Sequence, residues 1–280
     1  MLTEITGRTI GLILANASSS FTTSFMDLFE QELYKKNYRL VIGLTNHDIN
    51  RERFYLAFFG RTTDGVIILS DSSDYSELAD AVPDSVPTIF IHRAPAGCER
   101  TSIIENDYSA TFQAVLNMVH SGYPNVALIC RNIKFSTSRE IIQAYRDAMK
   151  TTPVGFQENR IFEYNMKDES LAEDIIAQIR EKECTGILTA SIEVTEHLAP
   201  YIYAHNAENE QPLSLTGFST ENRSTVLFQS LDTIQRPIRR TVDLALQQLF
   251  YLMENPDTPK KEYIVKGSML MRTRDAFQTL

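Results

Sequence analysis

The sequence predicts an α/β protein of two Rossmann-like lobes, each a parallel sheet flanked by helices. Three observations carry this. Short runs rich in Val, Ile and Leu alternate with stretches of helical periodicity along the whole chain. The runs are continuously apolar, as strands covered on both faces require. The alternation restarts at "TSIIEND" (101–107) and builds a second doubly wound sheet.

The elements follow in order. "RTIGLIL" (Arg8–Leu14) is the first strand, and Phe25, Leu28, Phe29 and Leu33 then share one helical face. "YRLVIGL" (Tyr38–Leu44) is the second strand. "RERFYLAFFG" carries a second helix, with Gly60 as its stop. "DGVIILS" (Asp64–Ser70) and "PTIFIH" (Pro87–His92) are the third and fourth strands. In the second half, "TSIIEND" leads to a helix through Ala114–Val119, and "NVALIC" (Asn125–Cys130) is a strand. "SREIIQAYRDAMK" is a helix with Ile141, Ile142, Tyr145 and Met149 inward. "KDESLAED" (Lys167–Asp174) reads as a solvated first helical turn. "CTGILTA" (Cys184–Ala190) and "LSLTGFS" (Leu213–Ser219) are strands around the helix of "EVTEHLAPYIYAHN". "LDTIQRPI" is a short extended stretch, and Pro237 suits the first turn of the helix after it. That helix turns Ile238, Val242, Leu246, Leu249 and Met253 inward. "ENPDTPKKEYIVKGS" reads as a loop and one final strand.

Composition narrows the function classes. The 280 residues carry a net charge of −9, which argues against a nucleic-acid surface on these residues. Cys98, Cys130 and Cys184 are odd in number and far apart, with no CxxC, so neither a zinc site nor a disulfide framework is expected. Cys130 and Cys184 end or precede apolar runs and read as buried, reduced core residues; together with no signal-peptide pattern and no apolar run near ~20 residues, this fits a cytoplasmic protein without a membrane span. No GxSxG, HExxH, P-loop or GxGxxG occurs, so an enzyme is not expected. His47, His92, His120, His197 and His205 lack metal-ligand spacing and read as surface or helix-packing residues. No metal and no cofactor is expected.

The order of these stretches resembles the LacI/GalR family of bacterial transcriptional regulators. The stretches are "RTIGLIL" with Phe21 behind it, "TTDGVIIL", "VPTIFIHR", "ENDYSATFQAVLNMVHSGYPNVALI", "SREIIQAYRDAM", "LSLTGF", and "LDTIQRPIRRTVDLALQQLFYLME" with "YIVKGS". The resemblance spans about residues 8–274. It implies the type I periplasmic-binding-protein core, with three crossovers, placed here near Asn106, Ile234 and Pro256. The lobes are then 8–105 with 235–255, and 106–234 with 256–280. It further implies a small-molecule effector between the lobes, sugar-like or a related polar metabolite, and a homodimer. Operator DNA would be reached only through a helix-turn-helix module not in this chain. The alternative is a sugar-binding protein of a transport system whose signal peptide is absent.

In open α/β sheets the ligand sits beyond the carboxyl ends of the strands. Those ends carry Asn16, Ser18, Ser19 and Phe21, then Ser70 and Asp71, then His92 and Arg93. Asn106 and Asp107 lie at the first crossover, and Ser191 and Ser219 follow two strands of the second half. Hydroxyls, amides and carboxylates with one aromatic suit a polar ligand that offers edges for hydrogen bonds and a flat face. Helix capping is the competing role for Ser18, Ser19 and Ser20, and an internal hydrogen bond is the competing role for His92. The family's usual anchoring Arg, Asp and Asn-Asp are replaced here by Ile141, Ser219 and Ser191-Ile192. Arg139 lies two residues from Ile141, about 200° around the helix. The second lobe therefore departs from the family's usual grip on a neutral sugar.

Overall fold

The computed structural model describes residues 8–271, apart from 83, 132, 134–135, 165–169 and 221–230. In chain order the first elements are β1 (Thr9–Leu14), α1 (Ser20–Lys35), β2 (Arg39–Leu44), α2 (Ile49–Thr62), β3 (Gly65–Ile68), β4 (Thr88–His92) and β5 (Thr101–Asn106). There follow α3 (Tyr108–His120), β6 (Val126–Cys130), α4 (Ser136–Lys150), β7 (Ile161–Glu163), α5 (Ser170–Glu181) and β8 (Gly186–Thr189). The rest are α6 (Ile192–Glu208), β9 (Ser214–Thr220), β10 (Asp232–Arg236), α7 (Ile238–Glu254), β11 (Glu262–Lys266) and β12 (Ser268–Leu270).

The chain separates into two units. Unit one holds residues up to Glu105 and Ile238–Val265; unit two holds Asn106–Pro237 and the residues from Lys266 on. Each is built on a six-stranded sheet, in the orders β11-β5-β4-β3-β1-β2 and β12-β10-β9-β8-β6-β7. β1 to β5 pair in parallel, as do β6 to β10, and β12 runs antiparallel to β10.

Burial explains the sheets. β1, β3, β4 and β6 place nearly every side chain in the core because helices cover both of their faces. From α1, Phe25, Phe29 and Leu33 are fully buried, and Leu28 is half-buried. In unit two, Ile141, Tyr145 and Met149 of α4 are buried, and the Tyr145 hydroxyl donates to the Val126 carbonyl at 2.7 Å. Gly217 of β9 is required by a close approach: a Cβ there would meet Thr189 and Thr195 at 2.4 Å.

Several expectations move. Gly60 lies inside α2, which runs on to Thr62. The stop is Thr63, whose amide and hydroxyl both donate to the Phe59 carbonyl. β7 is too short to leave a pattern and pairs at the sheet edge with β6. The final strand is two strands, divided at Gly267 and shared between the two sheets. The third crossover therefore falls between Val265 and Lys266 instead of near Pro256. Ser102 donates to the Lys261 carbonyl at 3.0 Å, which keeps residues 256–265 on the first sheet. The second crossover falls after Pro237 instead of at Ile234, because β10 keeps its pairing with β9 through Arg236↔Thr220. The start of the acidic stretch Lys167–Asp174, and the ends 1–7 and 272–280, lie outside the described residues. Among the described residues no helix is long and apolar enough to cross a membrane.

Candidate functional site

In unit one the carboxyl ends of β1, β2, β3 and β4 meet in one network of polar side chains. After β1, Asn16 folds its own loop: Oδ1 accepts from the Ser18 amide (3.1 Å), the Ser18 hydroxyl (3.0 Å) and the Ser19 amide (3.3 Å). Ser19 is the N-cap of α1 and accepts from the Thr22 amide at 3.1 Å. Its hydroxyl thus does the capping work that Ser residues do at helix starts, while Ser18 stays exposed.

The end of β2 supplies a residue that the sequence did not single out. Asn46 and His47 are both left-handed, with φ of 52° and 62°. That turn brings the His47 ring between two strand ends. Nδ1 lies 2.7 Å from Asp71 Oδ2, and Nε2 lies 3.4 Å from Asn16 Nδ2. In the neutral ring a carboxylate at Nδ1 favours the proton there, which leaves Nε2 to accept from the Asn16 amide. His47 is therefore part of the strand-end network while staying exposed, as the surface reading of its spacing expected.

Asp71 is shared. Its other oxygen takes the Arg93 guanidinium, whose Nε donates to the Ser70 carbonyl. Behind them stands Glu52, buried at 1% exposure in the first turn of α2. The Ser70 hydroxyl donates to one Glu52 oxygen and the Asp71 amide donates to the other at 3.2 Å. Burial pushes the Glu52 carboxyl up to about 7, against the lowering effect of those two hydrogen bonds.

Phe21 and His92 form a second cluster in this unit. Phe21 is only 8% exposed, and its ring meets Phe25 edge-on at 5.1 Å and His92 at 4.7 Å. The flat face the sequence offered to a ligand is largely taken up by packing. His92 is left-handed (φ 70°), and its Nδ1 lies 2.9 Å from the buried Glu105 carboxylate.

In unit two the predicted residues are mostly built into local structure. Ser191 is the N-cap of α6 and accepts from the Val194 amide at 3.2 Å. Ser219 is buried within β9, paired with Gln235 of β10. Asn106 is half-buried at the end of β5. Asp107 occupies the N-cap position of α3 but does not cap it. Its carboxylate turns to Arg236 at 2.7 Å, and Arg236 also lies over the Phe218 ring at 4.5 Å. Glu140 of α4 accepts from the Asp107 and Tyr108 amides in its place, and burial, with Asp107 nearby, raises its pKa. Ile141 is fully buried, so that position packs the core, while Arg139 is exposed. A cation does reach the strand ends, however: Arg131, directly after β6, pairs with Glu193 at 3.2 Å. Among the described residues no group of three or more His, Cys, Asp or Glu is disposed to hold a metal ion.

This is an α/β fold of two lobes of the kind found in LacI-type regulators and periplasmic binding proteins. Solved structures establish it. A putative ribose operon repressor from Burkholderia thailandensis superposes with a TM-score of 0.80 at 20% identity, over 94% of this chain and 99% of its own. The Cra transcriptional dual regulator from Pseudomonas putida, in complex with fructose 1-phosphate, does so at 0.79 and 19%, over 95% and 99%. In sequence, the HTH-type transcriptional repressor PurR of Vibrio campbellii is 21% identical over 270 residues, 95% of this chain and 80% of the relative. The ribose operon repressor of Haemophilus influenzae is 21% identical over 268 residues, again 95% and 80%. No protein-family profile matches the chain.

Proposed function

We propose that these residues form the effector-binding and dimerisation core of a LacI/GalR-type transcriptional regulator acting in the cytoplasm. A small polar metabolite of sugar-like chemistry binds at the strand-end loops of the lobes. Binding changes the operator affinity of a helix-turn-helix module through a hinge motion, with coupling of ~1–3 kcal/mol.

The observation that carries this reading is the convergence of Asn16, His47, Asp71 and Arg93 on one patch at four adjacent strand ends. That patch offers a carboxylate, a guanidinium, an amide and an imidazole, a set suited to hydroxyls that both donate and accept. Structure neighbours support the ligand class: one from Alkaliphilus metalliredigens is complexed with D-xylulofuranose, and the CelR regulator with cellobiose. Self-association is supported by exposed apolar side chains on α2, where Phe54 stacks on Phe58, and on the edge strand β2, where Val41 lies on the face that α2 covers.

A thermal-shift screen with pentoses, hexoses, disaccharides, sugar phosphates and nucleobases tests the effector, since a true ligand raises the melting temperature by mass action. Silence across the panel overturns the effector reading. Native mass spectrometry tests the dimer, and a monomer at micromolar concentration overturns it.

A further inference from the structure

We propose that Glu52 is a positioning residue of the strand-end site: it fixes the loop after β3 so that Asp71 presents one oxygen to His47 and the other to Arg93. The inference rests on reading that patch as the effector site.

The loop Ser70–Ser72 is held by Arg93 at the Ser70 carbonyl and by Glu77 at the Ser72 hydroxyl, and two further holds, at the Ser70 hydroxyl and the Asp71 amide, lead to Glu52. Its Oε1 accepts from the Ser70 hydroxyl, and Oε2 accepts from the Asp71 amide. Ser70 Oγ in turn accepts from the Ser72 amide at 3.1 Å. Two oxygens of one carboxyl thus hold the Asp71 amide and the hydroxyl of the residue before it, alongside the Arg93 hold on the Ser70 carbonyl. A bidentate hold of this kind fixes direction as well as distance. From that fixed backbone the Asp71 side chain reaches His47 Nδ1 at 2.7 Å and the Arg93 guanidinium.

Glu52 is kept beside the loop because the start of α2 is itself anchored. Asp48 caps the helix by accepting from the Asn50 amide at 2.8 Å, and the Glu52 amide donates to the Asp48 carbonyl at 3.0 Å. The left-handed Asn46 and His47 lie directly before that cap. The first turn of α2 therefore carries the group that aims Asp71, and the residue just before its cap carries the ring. The charged and titratable groups facing Glu52 are Asp71 and Arg93 on the neighbouring loops. Glu52 does not touch the ligand surface itself. Its role is exerted through Asp71.

A neutral amide of the same shape keeps an acceptor for the Asp71 amide and a donor that the Ser70 hydroxyl can accept. Glu52→Gln should preserve the aim, and Glu52→Ala should lose it. The signature is the His47 tautomer, read by nitrogen chemical shifts of the imidazole in the full chain and assigned with a His47→Asn variant. Wild type and Glu52→Gln should hold the proton on Nδ1. Glu52→Ala should shift population to the Nε2–H tautomer that an unrestrained imidazole prefers, with its fold checked by circular dichroism. If Glu52→Ala unfolds, Ser70→Ala removes one of the two holds and should give a smaller shift in the same direction. A His47 signature unchanged in both folded variants overturns the inference, as does a Glu52→Gln signature that matches Glu52→Ala. D-ribose, D-xylulose, cellobiose and fructose 1-phosphate supply the second arm. Whichever of them binds the wild type should lose at least tenfold in affinity in Glu52→Ala and no more than threefold in Glu52→Gln. Wild-type silence toward the four sugars counts against the effector reading, while the nitrogen shifts decide the role of Glu52 independently.

Discussion

Asp107 and Arg236 meet at 2.7 Å inside unit two, one at the start of α3 and the other at the end of β10. Both side chains are almost wholly buried. Ion pairs in such settings are expensive to break, because removing one partner strands the other in a low-dielectric interior. Asp107→Ala is expected to cost about 3–5 kcal/mol. The paired replacement Asp107→Leu with Arg236→Met should cost much less. Chemical denaturation of Asp107→Leu, Arg236→Met and the variant carrying both gives the coupling, and a coupling below ~1 kcal/mol would show that the pair does not anchor this part of the unit.

Glu52 makes stability depend on pH with a definite sign. Its folded pKa of about 7 lies above its ordinary 4.5, so the native state binds the proton more tightly than the unfolded chain. The resulting contribution is complete below the ordinary value and is lost as pH rises through 7. Between pH 5 and pH 8 the wild type should lose ~2–3 kcal/mol that Glu52→Gln does not lose. Parallel unfolding curves of the two proteins across that range would remove this assignment.

Ser19 and Ser191 each cap a helix in the structure. Ser19→Ala and Ser191→Ala should each cost ~1 kcal/mol, and replacement by Asp should restore most of it. A thermal melt that does not move for the Ala variants would return these hydroxyls to the ligand.

The thiols should divide by burial. Cys130, fully buried, has its pKa pushed up to about 12, and burial raises Cys184 as well. Neither should react with a disulfide reagent in the native protein. Only Cys98, which is half-buried, should label, and slowly, because burial raises its pKa too. Rapid labelling of two or more thiols under native conditions would contradict this.

The strands buried on both faces were plain in the sequence, since β1, β3, β4 and β6 are apolar runs too short for a helix and rich in β-branched residues. The strand-end rule also selected Asn16, Ser70, Asp71 and Arg93, which the structure joins in one network. His47 escaped because its inclusion depends on two successive left-handed residues, and neither is a glycine that would have announced the turn. Glu52 sits in "RERFYL" among charges that look solvated, and only the direction of its helical face buries it. Residue type leaves Ser19 open to capping an amide or meeting a ligand, and the structure makes it a cap; it makes Ser191, which the sequence offers only to a ligand, a cap as well. The division at Gly267 was hidden because one short apolar run serves two sheets.

The left-handed backbone at Asn46, His47 and His92 leaves a mark on the substitutions the protein can accept. Asparagine and glycine enter that conformation at little cost, whereas Val, Ile and Thr are strongly disfavoured there. A saturation library selected only for folding would be depleted of β-branched residues at all three positions, before any demand for ligand was imposed. Tolerance at these strand ends is thus filtered twice, once by chain geometry and once by recognition, and only the second filter would change with the metabolite supplied.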